Sequence, residues 1–171
     1  VKKVNLHIIY EDDHILLVNK PSGMLSQKAK DTDESLVEYI IDYLISSGQL
    51  STEQLQSFRP SVCNRLDRNT SGLVVAGKSL PGLQIMSAVF KDRSLHKYYR
   101  CVVKGRVTEK QVITGFLKKD ETTNQVTVTT TETAGSVPIM TEYEPLGWAE
   151  DCTLLSVKLI TGRTHQIRAP W

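Results

Sequence analysis

The chain has 171 residues, of which 40% are hydrophobic, 23% charged and 6% aromatic, and 21 basic against 19 acidic side chains leave a formal net charge of +2. These values describe one ordinary globular domain or a compact pair and exclude disordered or collagen-like chains, and a net charge so near zero names no partner. No apolar run approaches the ~20 residues of a membrane span, and Val1-Lys2-Lys3-Val4-Asn5 lacks the apolar stretch of a signal peptide, so a cytoplasmic location without a membrane partner is expected.

Leu6 to Tyr10 and the run Ile15-Leu16-Leu17-Val18 read as two short strands, the second stopped at Pro21 and Gly23. Ser35 with Glu38 three residues on forms a capping box, and Leu36, Val37, Ile40, Ile41, Leu44 and Ile45 then share one side of a helix that ends by Gly48. Ser46 to Pro60 is a polar surface excursion. A second helix is expected from Ser79 or Leu80 to about Phe90, with Pro81 in its first turn and Leu83, Met86, Val89 and Phe90 facing inward. From Leu95 to Val103 the pattern is a strand, with Lys97, Tyr99, Cys101 and Val103 on one face and Tyr98, Arg100 and Val102 on the other. Val112 to Leu117, Val126 to Thr131, Thr141 to Tyr143 and Thr153 to Leu159 continue the sheet, the last resumed by Gln166 to Arg168. The fold class is α+β, a mixed, largely antiparallel sheet with helices packed on it, and residues 1–171 read as one domain.

Cys63, Cys101 and Cys152 are odd in number and widely spaced, so they read as reduced thiols, neither a disulfide framework nor a zinc site. Serine-hydrolase, Walker and dinucleotide glycine signatures are absent. Three other segments hold polar residues for which a structural role is hard to find. In Asn64-Arg65-Leu66-Asp67-Arg68-Asn69-Thr70-Ser71-Gly72 an acid stands between two arginines, whose charge favours the carboxylate form. That suits a nucleophile or electrostatic catalyst; the plainer alternative is an aspartate capping its own turn. From Lys91 to Arg106 six basic residues face one acid, with Tyr98 and Tyr99 among them, a composition that fits either RNA or a solvated strand. In Gly162-Arg163-Thr164-His165-Gln166-Ile167-Arg168 two arginines follow a strand heading for the core, which suits a carboxylate or phosphate partner.

With these segments in order, and with Ile8-Ile9-Tyr10-Glu11-Asp12-Asp13 and Val18-Asn19-Lys20-Pro21-Ser22-Gly23-Met24 before them, the sequence resembles the RluA-type pseudouridine synthases over nearly its whole length. The resemblance implies the pseudouridine synthase catalytic fold and isomerisation of uridine to pseudouridine in RNA, with ribosomal RNA ahead of transfer RNA, no cofactor and no obligate protein partner. It implies Asp67 as the catalytic aspartate, Tyr99 as the tyrosine that contacts the target base, Arg168 as the arginine that pairs with the aspartate, and Arg65 as the side chain that fills the space left by the flipped nucleotide. Arg68, Lys97, Arg100 and Arg163 are the further RNA-binding candidates. The alternative function is a non-catalytic RNA-binding or RNA-chaperone domain, which would need the basic residues but not a carboxylate among them.

Two departures carry expectations of their own. Asn64 stands where most members have histidine, so a change in packing or RNA contact is expected there. The chain also starts without the small N-terminal RNA-binding domain of many members and stops soon after Gln166-Ile167-Arg168. A catalytic domain incomplete at its C-terminus is therefore expected, with strand 153–159 short of neighbours, either self-association through that exposed edge or a stability markedly below that of a longer version, and little or no activity.

Overall fold

In Ile15-Leu16-Leu17-Val18-Asn19-Lys20 every second side chain points the same way, and strand β2 (Ile15–Lys20) buries Leu16, Val18 and Lys20 while their neighbours stay half-buried. The computed structural model describes residues 5–163 and 165–168, and the chain divides into two units, Val1–Leu95 and His96–Trp171. Thr164 and Ala169-Pro170-Trp171 lie outside the described residues, and so do the expectations that rest on the end of the chain.

In the first unit β2 pairs antiparallel with β1 (Ile8–Glu11) and, further along the chain, with β4 (Gly72–Gly77), and β3 (Ser61–Val62) completes the order β1-β2-β4-β3. Helix α1 (Leu36–Ser46) opens on the expected capping box, in which the Glu38 carboxylate accepts the Ser35 N–H at 2.9 Å and the Ser35 hydroxyl as well. Leu36, Ile40 and Leu44 recur at helical spacing, are at most 1% exposed, and join Leu16, Val18, Val74 and Ala76 in one core cluster. Burying each such leucine or isoleucine contributes about 1.5–3 kcal/mol, so packing on the sheet outweighs helix propensity in holding α1.

Helix α2 (Leu80–Lys91) starts at Ser79, whose hydroxyl accepts the Gly82 N–H at 3.2 Å. Gly82 permits a close approach, since a Cβ there would stand 2.2 Å from the His14 carbonyl oxygen. Leu83, Met86, Val89 and Phe90 make up its half-buried side, as the spacing predicts. The excursion from Ser46 to Pro60 contains a 3-10 turn at Gln54–Gln56 and is held by buried Pro60 and by Leu50 against the core.

The second unit is one antiparallel sheet in the order β5 (Lys97–Lys104), β9 (Cys152–Leu159), β8 (Val137–Ala149), β6 (Gln111–Lys119) and β7 (Val126–Thr129). Val103, Tyr143, Leu155 and Val157 form its buried cluster, with Tyr99, Cys101 and Ile113 packed against it. The β5 faces divide as predicted: Tyr98, Arg100, Val102 and Lys104 are exposed on the other side.

Three expectations are corrected here. Strand β8 runs far beyond Thr141–Tyr143, because a register shift between Pro145 and Gly147 lets the pairing with β9 continue past a proline. Strand β9 does not lack neighbours: β5 and β8 flank it, and the edges of this sheet are β5 and β7. Gln166 to Arg168 does not resume the strand; residues 165–168 form a turn in which Gln166 N–H donates to the Arg163 carbonyl and Arg168 N–H to that of His165.

Glu11 joins four pieces of the first unit. Its carboxylate accepts Lys78 Nζ at 2.8 Å, Gln49 Nε2 at 3.0 Å and the Tyr43 hydroxyl at 2.7 Å. Burial acts to raise its pKa, but these donors outweigh burial and hold the carboxyl below its ordinary 4.5. A carboxyl lowered on folding contributes stability that is complete above its unfolded pKa and is lost as pH falls through its folded one. The melting temperature of the wild type should therefore fall toward that of Glu11→Gln as pH is lowered from about 6 to about 3. A gap between the two proteins that does not change with pH would contradict this.

Candidate active site

Strands β3 and β4 are the arms of a hairpin whose loop carries Asn64 through Ser71. Asn64 extends the pairing with its side chain: Oδ1 accepts the Val75 N–H at 2.8 Å and Nδ2 donates to the Leu73 carbonyl at 3.2 Å. The asparagine at this position thus has a packing role, an outcome its departure from the resembling motif left open. Thr70 N–H donates to the Asp67 backbone carbonyl at 3.0 Å and closes a turn over residues 67–70. Asp67 is half-buried, while Arg65 and Arg68 on either side of it are exposed.

The segment that follows β2 grips this loop on both sides of Asp67. Before it, the Ser26 hydroxyl accepts the Leu66 N–H at 2.9 Å and donates to the Leu66 carbonyl at 2.8 Å. After it, the Arg68 carbonyl accepts the Gly23 N–H at 2.8 Å and Lys20 Nζ at 3.1 Å, and the Ser22 hydroxyl donates to the Asn69 carbonyl at 2.9 Å. Gly23 sits at φ +90°, a backbone conformation that suits glycine and lets its N–H reach Arg68.

Lys20 is the central member of this grip. Its side chain is unexposed, and its ammonium has one carbonyl for each proton, those of Met24 at 2.7 Å, Pro21 at 3.1 Å and Arg68 at 3.1 Å. Burial pushes its pKa below the ordinary lysine value, and the charge of Asp67 pushes it back up. Sequence reasoning did not list Lys20 among the site residues, although a signal was available: Lys20 falls in phase with the core residues Leu16 and Val18. A cavity of about 620 Å³ opens beside the grip, with Gly23, Met24, Glu34, Tyr39 and Arg68 on its walls.

The other predicted residues belong to the second unit. Tyr99 is half-buried against the Val103, Tyr143, Leu155 and Val157 cluster, and Arg100 is exposed on the opposite face of β5. Lys97 is brought to the third segment: its ammonium lies 2.7 Å from where a Cβ on Gly162 would stand. Arg163 and Arg168 are exposed, and between them Gln166 is buried with all its hydrogen-bonding capacity used. Its Oε1 accepts the Thr161 hydroxyl and the Arg163 N–H at 2.9 and 3.0 Å, and its Nε2 donates to the Met140 carbonyl and Thr141 hydroxyl at 3.1 and 2.9 Å. The segment is therefore stapled to β8 through one amide, a role that sequence reasoning did not assign.

Burial pushes the Cys63 and Cys101 thiols up, which disfavours the nucleophilic thiolate at neutral pH. Among the described residues no three His, Cys, Asp or Glu side chains gather as a metal-binding group, and no helix is long and apolar enough to cross a membrane.

Residues 14–170 match the family described as RNA pseudouridylate synthase. An uncharacterized RNA pseudouridine synthase of Mycoplasma genitalium is 35% identical over 98% of this chain and 52% of its own length. Ribosomal large subunit pseudouridine synthase D of Borreliella burgdorferi is 32% identical over 96% of this chain and 50% of its own. The chain thus spans about half the length of these curated relatives. Among solved structures, human RNA pseudouridylate synthase domain containing 4 superposes with a TM-score of 0.75 at 17% identity, covering 95% of this chain and 62% of that one. Human RNA pseudouridylate synthase domain containing 1 gives 0.67 at 25% identity, covering 96% and 63%.

Replacing Lys20 tests the grip. Buried charges are sometimes exchanged for apolar residues without loss, but only when the partner groups leave with them. Lys20→Met would leave the Pro21 and Met24 carbonyls without this donor, so urea denaturation should register a loss of at least about 1–3 kcal/mol. A methionine variant as stable as the wild type would show that the ammonium is not what holds the turn.

Proposed function

Because the chain belongs to the RNA pseudouridylate synthase family, we propose that it acts in the isomerisation of uridine to pseudouridine in structured RNA, with Asp67 as the catalytic carboxylate. The reaction breaks the N1–C1′ bond, turns the uracil, joins C5 to C1′, removes the C5 proton and leaves a proton on N1, so that atoms balance and nothing is oxidised or reduced. Asp67 promotes the glycosidic cleavage. Tyr99 contacts the uracil and Arg168 serves as the arginine partner of the aspartate. Arg65 takes the place of the flipped nucleotide, and Arg68, Lys97, Arg100 and Arg163 meet phosphates.

The observation that carries this reading is the grip on the Asp67 loop. A catalytic carboxylate must be held in one geometry, and hydrogen bonds fix the backbone immediately before and after Asp67. A domain that only binds RNA gains nothing from immobilising a negative charge between two arginines. The substrate favoured is ribosomal RNA of the large subunit, the molecule named in several relatives. A cytoplasmic location belongs to the same proposal.

Asp67→Asn keeps the shape of the side chain and removes its charge. In the full-length gene product, single-turnover isomerisation of ribosomal RNA from a strain lacking the gene should slow by at least about 10²-fold, while RNA affinity stays within about threefold. Turnover near the wild-type rate would remove Asp67 from this role, and unchanged RNA binding by a wild type with no turnover would favour the binding-only domain.

A further inference from the structure

Lys20, Gly23 and Ser22 all act on the Asp67 loop after the aspartate, at Arg68 and Asn69. A loop held only there would still pivot about its other end. Within this segment Ser26 is the group that acts before the aspartate, at the residue next to it, and it does so with a single atom. Its Oγ accepts the Leu66 N–H at 2.9 Å and donates to the Leu66 carbonyl at 2.8 Å. Those two groups belong to the two peptide planes on either side of the Leu66 Cα, and the second plane is the one that carries the Asp67 nitrogen. Holding both planes fixes both soft dihedrals of Leu66 and hence the direction in which the chain enters Asp67.

Few side chains have this capacity. A hydroxyl has one proton and two lone pairs, so it accepts and donates at once; alanine does neither, and a thiol does both weakly. Ser26 is 4% exposed, so little water competes for its bonds. The hydroxyl is itself anchored. Its neighbour Leu25 forms a parallel bridge with Ser35, and the Leu25 carbonyl accepts the Leu36 N–H at 2.8 Å, which ties the segment to the capped start of α1. A continuous line of hydrogen bonds thus runs from the start of α1 through Leu25 and Ser26 to Leu66.

We infer that Ser26 is a positioning residue for the isomerisation, one that sets the Asp67 carboxylate through Leu66 and touches no substrate; the inference rests on the reading of Asp67 given above. Misplacing a reacting group by about 1 Å costs on the order of 10²-fold in rate, so the effect belongs in kcat and leaves substrate binding nearly untouched.

The experiment compares wild type, Ser26→Ala, Ser26→Thr, Ser26→Cys and Asp67→Asn, each in the full-length gene product, on ribosomal RNA from a strain lacking the gene, with kcat and KM measured separately and below the melting temperature of each protein. Ser26→Ala should lower kcat about 10- to 100-fold with KM within about threefold. Ser26→Thr, which restores the hydroxyl, should recover most of the loss. Ser26→Cys keeps the volume and weakens both bonds; it should fall between alanine and serine, and it keeps the comparison with threonine decisive if the alanine variant does not fold. Ser26→Ala or Ser26→Cys at the wild-type kcat, or threonine no better than cysteine, would overturn the inference while an inactive Asp67→Asn left the role of Asp67 standing. A wild type that isomerises no uridine, or an Asp67→Asn that does so at the wild-type rate, would overturn the role of Asp67 and the inference with it.

Discussion

An ammonium group removed from water must be given an acceptor for each of its protons, and Lys20 obtains all of them from backbone carbonyls. That requirement dictates much of the first unit. The chain must turn sharply after β2 so that the carbonyls of Pro21 and Met24 come back to the lysine at its end. The hairpin loop between β3 and β4 must also come close enough to offer the Arg68 carbonyl. The charge is thereby converted into geometry, since an interaction that costs free energy when incomplete specifies the path of two loops when complete. The proposed catalytic carboxylate lies on one of those loops, and its negative charge partly offsets the cost of burying the positive one.

The parts of the fold legible in the sequence are those where local chemistry and the final environment agree. Ser35 and Glu38 signal the start of α1 because a capping box satisfies backbone groups wherever the helix packs. The two faces of β5 follow from strict alternation. Where the environment overrides local chemistry, sequence reading falls short. Pro145 argues against a central strand, yet β8 passes it through a register shift that only pairing with β9 makes favourable. Residues 165–168 look like strand by composition and instead turn, because the Gln166 amide finds its partners at Met140, Thr141, Thr161 and Arg163.

The candidate site divides in the same way. Its charged residues stand out in the sequence because an acid between arginines and a cluster of cations lack a ready structural use. The groups that hold them in place are harder to see. Lys20 reads as the polar end of a strand and Ser22 and Ser26 as turn residues, and Asn64 gives no sign that its amide will bridge to β4. Their roles depend on contacts between segments some 40 residues apart, such as Ser26 with Leu66, which no local pattern encodes. Loops that carry chemistry are commonly the mobile parts of a protein, and here hydrogen bonds hold the loop with the carboxylate on both sides of Asp67.

Hydrogen exchange of individual amides tests that claim most directly. If the grip is real, the Leu66 and Gly23 amides, which donate to Ser26 Oγ and to the Arg68 carbonyl, exchange as slowly as the β2 and β4 amides that pair across the sheet. Exchange of Leu66 and Gly23 at the rate of the exposed turn around Thr122 and Thr123 would contradict it, and would mean that the Asp67 loop is held by something other than the segment from Lys20 to Ser26.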